Sequence, residues 1–190
     1  MLEREQAEEE QSQLLRRIAE GSMEAMAAFY DQTASPLFSV AVRILGDVGE
    51  AENVIQDVFV QIWEKAATFD PKLGSAFHWT LSIARHRSID RLRARQRRAR
   101  LMEEFQNASS ADPPTNTGLE QRALSGEEFA AVRSALTSLP AEQRQAIELA
   151  FFGGKTHLEI AEALNEPLGT IKARIRRGMI KLRDSLQPYA

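Results

Sequence analysis

The chain has 190 residues, 43% of them apolar, a size that fits one medium domain or two small ones of roughly 60 to 90 residues with compact cores. Twenty-seven acids against 24 lysines and arginines leave a net charge of −3, and the absence of cysteine excludes disulfides and thiolate zinc sites. The longest apolar runs, such as 37 to 45 with Ser39 and Arg43 inside it, fall well short of the roughly 20 residues that cross a bilayer, and the acidic start is no basic-plus-apolar leader, so a soluble, cytoplasmic protein without stable membrane insertion is expected.

Apolar residues recur at three and four, and no stretch alternates for long, which predicts an all-α protein. A first helix over 3–20 ends before Gly21. A second starts at Ser22 with Met23, Met26, Ala27 and Tyr30 on one face, and Pro36 is expected to open a further apolar helix through Leu45. Gly46 and Gly49 break that run, and Asp47 can cap a helix over 48–67. Its apolar stripe is Ile55, Phe59, Ile62 and Ala66. Another side carries Glu52, Asn53, Gln56, Asp57, Val60 and either Trp63 or Glu64, which reads as an ordinary wet face with Trp63 tucked into the core or as a docking face.

Asp70-Pro71 closes that helix, and Gly74-Ser75 begins one that runs through an arginine-rich stretch, where residues 85–100 hold eight arginines against Asp90 alone. Ile83, Ile89 and Leu92 belong to the core, leaving Arg85, His86, Arg87, Arg91, Arg93 and Arg95 as candidates for contact. Phe77 and Trp79 precede them. Aromatic rings beside cations suit a melted DNA strand, whose bases can rest on Trp or Arg while its phosphates are neutralised; the alternative is that both rings are core.

Residues 101–124, including N-A-S-S-A-D-P-P-T-N-T-G, have almost nothing to bury and read as a flexible linker between a domain over 1–100 and one over 125–190. Beyond it, helices are expected over 125–136 and from Pro140 through Phe151. Thr156-His157-Leu158-Glu159 fits a capping box that opens a short helix with Ile160, Ala161 and Leu164 inward; Pro167 ends it in a turn. From Leu168 to Arg183 the chain holds six cations and no acid. Ile171, Ile175, Met179 and Leu182 form the expected buried stripe there, while Lys172, Ala173, Arg176 and Arg177, flanked by Arg174 and Lys181, point away, and Thr170 is available to a phosphate. This is the pattern of a DNA-reading helix-turn-helix.

With these stretches in view the sequence resembles the bacterial RNA polymerase sigma factors of the extracytoplasmic-function (ECF, sigma-70) group over nearly the whole chain. D-V-G-E-A-E-N-V-I-Q-D-V-F-V-Q-I-W resembles their polymerase-binding helix, G-S-A-F-H-W-T-L-S-I-A-R-H-R-S-I-D-R-L-R their promoter-melting segment, and L-E-I-A-E-A-L-N-E-P-L-G-T-I-K-A-R-I-R-R-G their upstream-element reader. The resemblance implies that Glu52, Asn53, Gln56, Asp57 and Trp63 dock on the core polymerase. It further implies that Trp79, Arg85, His86, Arg87, Ser88, Arg91 and Arg93 serve the minus-10 element, with a loop near His86, Arg87 and Ser88 reading an unstacked base. Thr156, Thr170, Lys172, Ala173, Arg174, Arg176 and Arg177 would serve the minus-35 element. Asn53 stands where the family usually has Asp, His86 where Asn is frequent, and Gly178 where Ala is usual, the last at about 1 kcal/mol of helix propensity. Because the chain ends at Ala190, control is expected from outside, by a cognate anti-sigma factor.

Two other classes of function stand against this. A stand-alone helix-turn-helix regulator would bind duplex operators without polymerase, but it leaves the arginines of 85–100 unused. An enzyme acting on nucleic acid lacks clustered carboxylates or a Gly-rich phosphate loop, and His78, His86 and His157 lack metal spacing, so neither cofactor nor metal is expected.

Overall fold

A computed structural model describes residues 2–105 and 127–186, with the side chains of 6–102 and 132–186. Two units emerge, residues 1–123 and 124–190. The segment 106–126, which holds most of the expected linker, lies outside the described residues. Among the described residues all regular structure is helical, and no helix is long and apolar enough to cross a membrane.

In the first unit α1 (Leu2–Ala19), α2 (Met23–Leu45), α3 (Val48–Lys65) and α4 (Ala76–Phe105) pack on one another, with two 3-10 turns, Ala66–Thr68 and Pro71–Leu73, between α3 and α4. The starts of α2 and α3 have local causes. The Ser22 hydroxyl accepts from the Ala25 amide at 3.2 Å, and the Asp47 carboxylate accepts from the Glu50 amide at 2.9 Å. Between them Gly46 ends α2 at φ 66, a left-handed conformation that a Cβ disfavours. Leu15, Ile18, Phe29, Leu37, Val58 and Ile62 are fully buried between the four helices.

The second helix differs from the expectation in two ways. It is a single helix with Pro36 inside it rather than two pieces with Pro36 at a start. Its buried face is Ala25, Phe29, Thr33, Leu37 and Ala41, while Met23 (67%) and Tyr30 (49%) are exposed. The face is set by Phe29, one position before Tyr30; the Tyr30 ring instead lies over Phe59, centroids 4.6 Å apart.

The second unit comprises α5 (Glu127–Ser138), α6 (Ala141–Phe151), α7 (His157–Leu164) and α8 (Leu168–Leu186). Ala135, Leu136, Leu139, Ile147 and Leu182 make one cluster; Ile160, Ala161 and Ile171, with Leu149, Leu164 and Ile175 against them, make the other. Met179, expected in the stripe, is 53% exposed, and Gly178 is buried in its place. At about 100° per residue, position 178 lies about 20° from Ile171 around the helix and position 179 about 80°. A Cβ at Gly178 would stand 2.5 Å from Ile147 Cδ1, so the missing methyl lets α8 lie close on α6.

Candidate nucleic-acid interface

The helix-turn-helix is built as its sequence requires. Thr156 accepts from the Glu159 amide at 3.2 Å and Glu159 Oε2 accepts from the Thr156 amide at 2.6 Å, closing the capping box. Asn165 ends α7 at φ 51, a conformation Asn tolerates better than most residues, and Pro167 follows. Two carbonyls of α7 receive the Asn165 amide, and α8 begins at Leu168. Thr156 therefore holds a helix terminus, with its hydroxyl already used as an acceptor.

On α8, Lys172, Arg176 and Arg177 are exposed, and Thr170 and Ala173 are half-buried. Arg177 Nε leans back to the Ala173 carbonyl at 3.3 Å. Arg174 is different. Its side chain is only 15% exposed, and one Nη2 lies 2.8 Å from Glu166 Oε1 and 3.1 Å from Glu142 Oε2. One guanidinium thus joins the turn before α8 to the start of α6, a bracing role that sequence spacing did not reveal because Glu142 is thirty-two residues away.

On α4 the residues expected to form a loop, His86, Arg87 and Ser88, are continuous helix. Ser88 is fully buried, and its hydroxyl donates to the Ala84 carbonyl at 2.8 Å, so it is committed to its own helix rather than presented outward. Thr33, Ser39 and Thr80 do the same one turn back. Trp79 is half-buried with its ring against Phe69, centroids 5.7 Å apart. Arg85 is half-buried, and burial, then the charge of Arg93, lowers its pKa. His86 and Arg93 are exposed. Arg91 is ion-paired to Glu50, which draws that carboxyl below its ordinary 4.5 chiefly through the hydrogen bond.

On α3, Ile55, Phe59 and Ile62 are buried as the stripe predicts, together with Ala51, Val54 and Val58, and Ala66 is buried at the start of the following 3-10 turn. Glu52, Asn53, Gln56 and Asp57 are exposed, joined by Val60 at 59% and Trp63 at 37%. An acid-and-amide face with two large apolar side chains on it is suited to a protein surface rather than to water alone.

Two family models match the chain. The model of Sigma-70 region 2 matches residues 29–98, and that of Sigma-70, region 4 matches residues 129–182. The ECF RNA polymerase sigma factor SigK of Mycolicibacterium vanbaalenii is 40% identical over 173 residues, covering 91% of this chain and 87% of the relative. SigK of Mycobacterium tuberculosis strain H37Ra is 37% identical, covering 91% of each. Among solved structures, CnrH in complex with the cytosolic domain of CnrY aligns over 95% of this chain and 99% of that one at 24% identity and a TM-score of 0.43. The sigma factor RpoE in complex with the anti-sigma factor NepR from Bartonella quintana aligns over 80% and 90% at 24% identity and 0.36. The two family models and the SigK relatives define one class, the sigma-70 factors. The chain belongs to the ECF RNA polymerase sigma factors.

Proposed function

We propose that this protein clasps core RNA polymerase through the exposed face of α3 and, once held there in the cytoplasm, selects promoters with its two DNA-facing helices. The observation that carries the reading is the face formed by Glu52, Asn53, Gln56, Asp57, Val60 and Trp63, exposed on a helix whose opposite side is core. Arg85, His86 and Arg93 of α4 take the minus-10 strand, Arg87 remains oriented beside them, and Trp79 supports the helix start through Phe69. Lys172, Ala173, Arg176 and Arg177, with Thr170 at the helix start, take the minus-35 major groove, where a bidentate arginine contributes about 1 to 3 kcal/mol of base discrimination. Each DNA contact is weak alone; joining both through one chain on one polymerase makes the second contact local. A cognate anti-sigma factor is the partner that would cover these surfaces at rest, and exposed Val60, Leu158 (57%) and Leu168 (36%) offer it apolar anchors.

The test is direct binding of the full chain to purified core polymerase. Gln56→Ala with Asp57→Ala should weaken that binding at least ten-fold, whereas Arg176→Ala should leave it unchanged and relax upstream-element preference in transcription from a promoter library. Full polymerase affinity in the double variant refutes the docking assignment.

A further inference from the structure

Three arginines of α4 repeat every four residues, and each donates to an element packed beside the helix. Arg87 Nε donates to Gln61 Oε1 at 2.7 Å, Arg91 Nε to Glu50 Oε2, and Arg95 Nη2 to the Leu45 carbonyl at 2.9 Å. A spacing of four aligns the three on one stripe. Their acceptors descend in sequence, 61, 50, 45, as the arginines ascend, so the stripe fastens α4 along α3 and onto the end of α2. The acceptors are not equivalent. Gln61 and the Leu45 carbonyl are neutral acceptors, whereas Glu50 opposes the charge of Arg91 by hydrogen bond and ion pair, with weaker contributions from Asp57 on Arg91 and from Glu50 on Arg95. With the Arg91 and Glu50 side chains 48% and 31% exposed, such a pair adds little to stability. It does alter how many cations α4 can offer, because an arginine balanced by a carboxylate displaces no counterion from a phosphate.

We infer that Glu50 is a positioning residue that keeps Arg91 on the α3 side of α4 and withholds one cation from the set that meets the promoter strand. This rests on the reading of α4 as the minus-10 helix. Arg91, despite its place in the arginine run, then belongs to the frame of the domain and not to its nucleic-acid contacts.

The experiment measures binding of a single-stranded minus-10 oligonucleotide by the reconstituted polymerase holoenzyme across a salt series, reading the slope of log affinity against log salt. Glu50→Ala should steepen the slope by about 0.7, the increment for one added phosphate contact on a single strand. Adding Arg91→Ala to Glu50→Ala should return the slope to the parental value, and Arg91→Ala or Gln61→Ala alone should leave it there. A merely structural role for Glu50 would not produce a steeper slope reversed by a second substitution. An unchanged slope for Glu50→Ala, or a slope flattened by about 0.7 for Arg91→Ala alone, overturns the inference while leaving the minus-10 reading intact. Salt-insensitive or absent binding by the parental holoenzyme overturns both.

Discussion

A guanidinium group inside a DNA-binding domain can face a phosphate or a carboxylate of its own chain, and Arg174 does the second. Held by Glu142 and Glu166 at 15% exposure, it braces α8 against the turn and α6. Arg174→Ala should therefore loosen the domain by about 1 kcal/mol, a cost between that of an exposed pair and a buried one. Amide hydrogen exchange on α7 and α8 of the full chain is expected to speed up about five-fold, the equivalent of that energy. A base-reading role alone would leave exchange in the free protein unchanged. Glu50 offers a second test at this scale. A carboxyl depressed below its ordinary value favours the folded state above that value, and the contribution is lost as pH falls through the folded pKa. The Glu50 carbon resonance should titrate below 4.5 in the parent and return toward 4.5 in Arg91→Ala. Neither tie was legible in the sequence, since i,i+4 arithmetic finds partners on one helix and both ties join different ones. Ser88 enters the minus-10 set only through the family resemblance, yet the direction of its side chain follows from α4 lying on α2 and α3.

Among the helices, α8 lies on α6 through the gap that Gly178 leaves, so the propensity cost of a helical glycine is offset by close packing. Any Cβ there must displace the Ile147 Cδ1 methyl. Gly178→Leu should disrupt the second unit, whereas Gly178→Ala should be tolerated best when paired with Ile147→Val, which removes that methyl. Melting of the three variants followed by circular dichroism distinguishes the cases, and equal tolerance of Leu and Ala would show that the contact does not restrict this position. Pro36 poses the opposite problem, because it removes one backbone bond from the middle of α2. Pro36→Ala is expected to raise stability by about 1 to 3 kcal/mol, read from the urea midpoint. Helix starts were clear in the sequence where a capping side chain is their local cause, as at Ser22, Asp47 and the Thr156/Glu159 box, but not at Pro36, where packing carries α2 through the proline. Faces were clear where one strong period ran, as on α3. They were misread where a large apolar side chain stood beside the true stripe, as with Tyr30 next to Phe29, or where the buried position was a glycine.

At the scale of the molecule, the charge pattern is more informative than the sum of −3: cations gather in residues 85–100 and 168–183, one group in each unit. His86→Ala and Arg176→Ala change different units, so their losses in transcription from a promoter carrying both elements should multiply. A double variant no worse than the poorer single one would mean that one unit alone sets the rate. The order of segments and the family they define could be read from the sequence, because each motif is contiguous. How the face of α3 relates to the cations of α4 could not, because that relation depends on Gln61 and Glu50 reaching across to another helix. The same stitching gives the first unit a mechanical character. With α4 tied to α3 through Arg87 and Arg91 and to the end of α2 through Arg95, a tilt imposed on α3 is expected to carry α4 with it. On the proposed reading of α4, selectivity for a promoter base depends on that tilt as well as on the identity of residue 86.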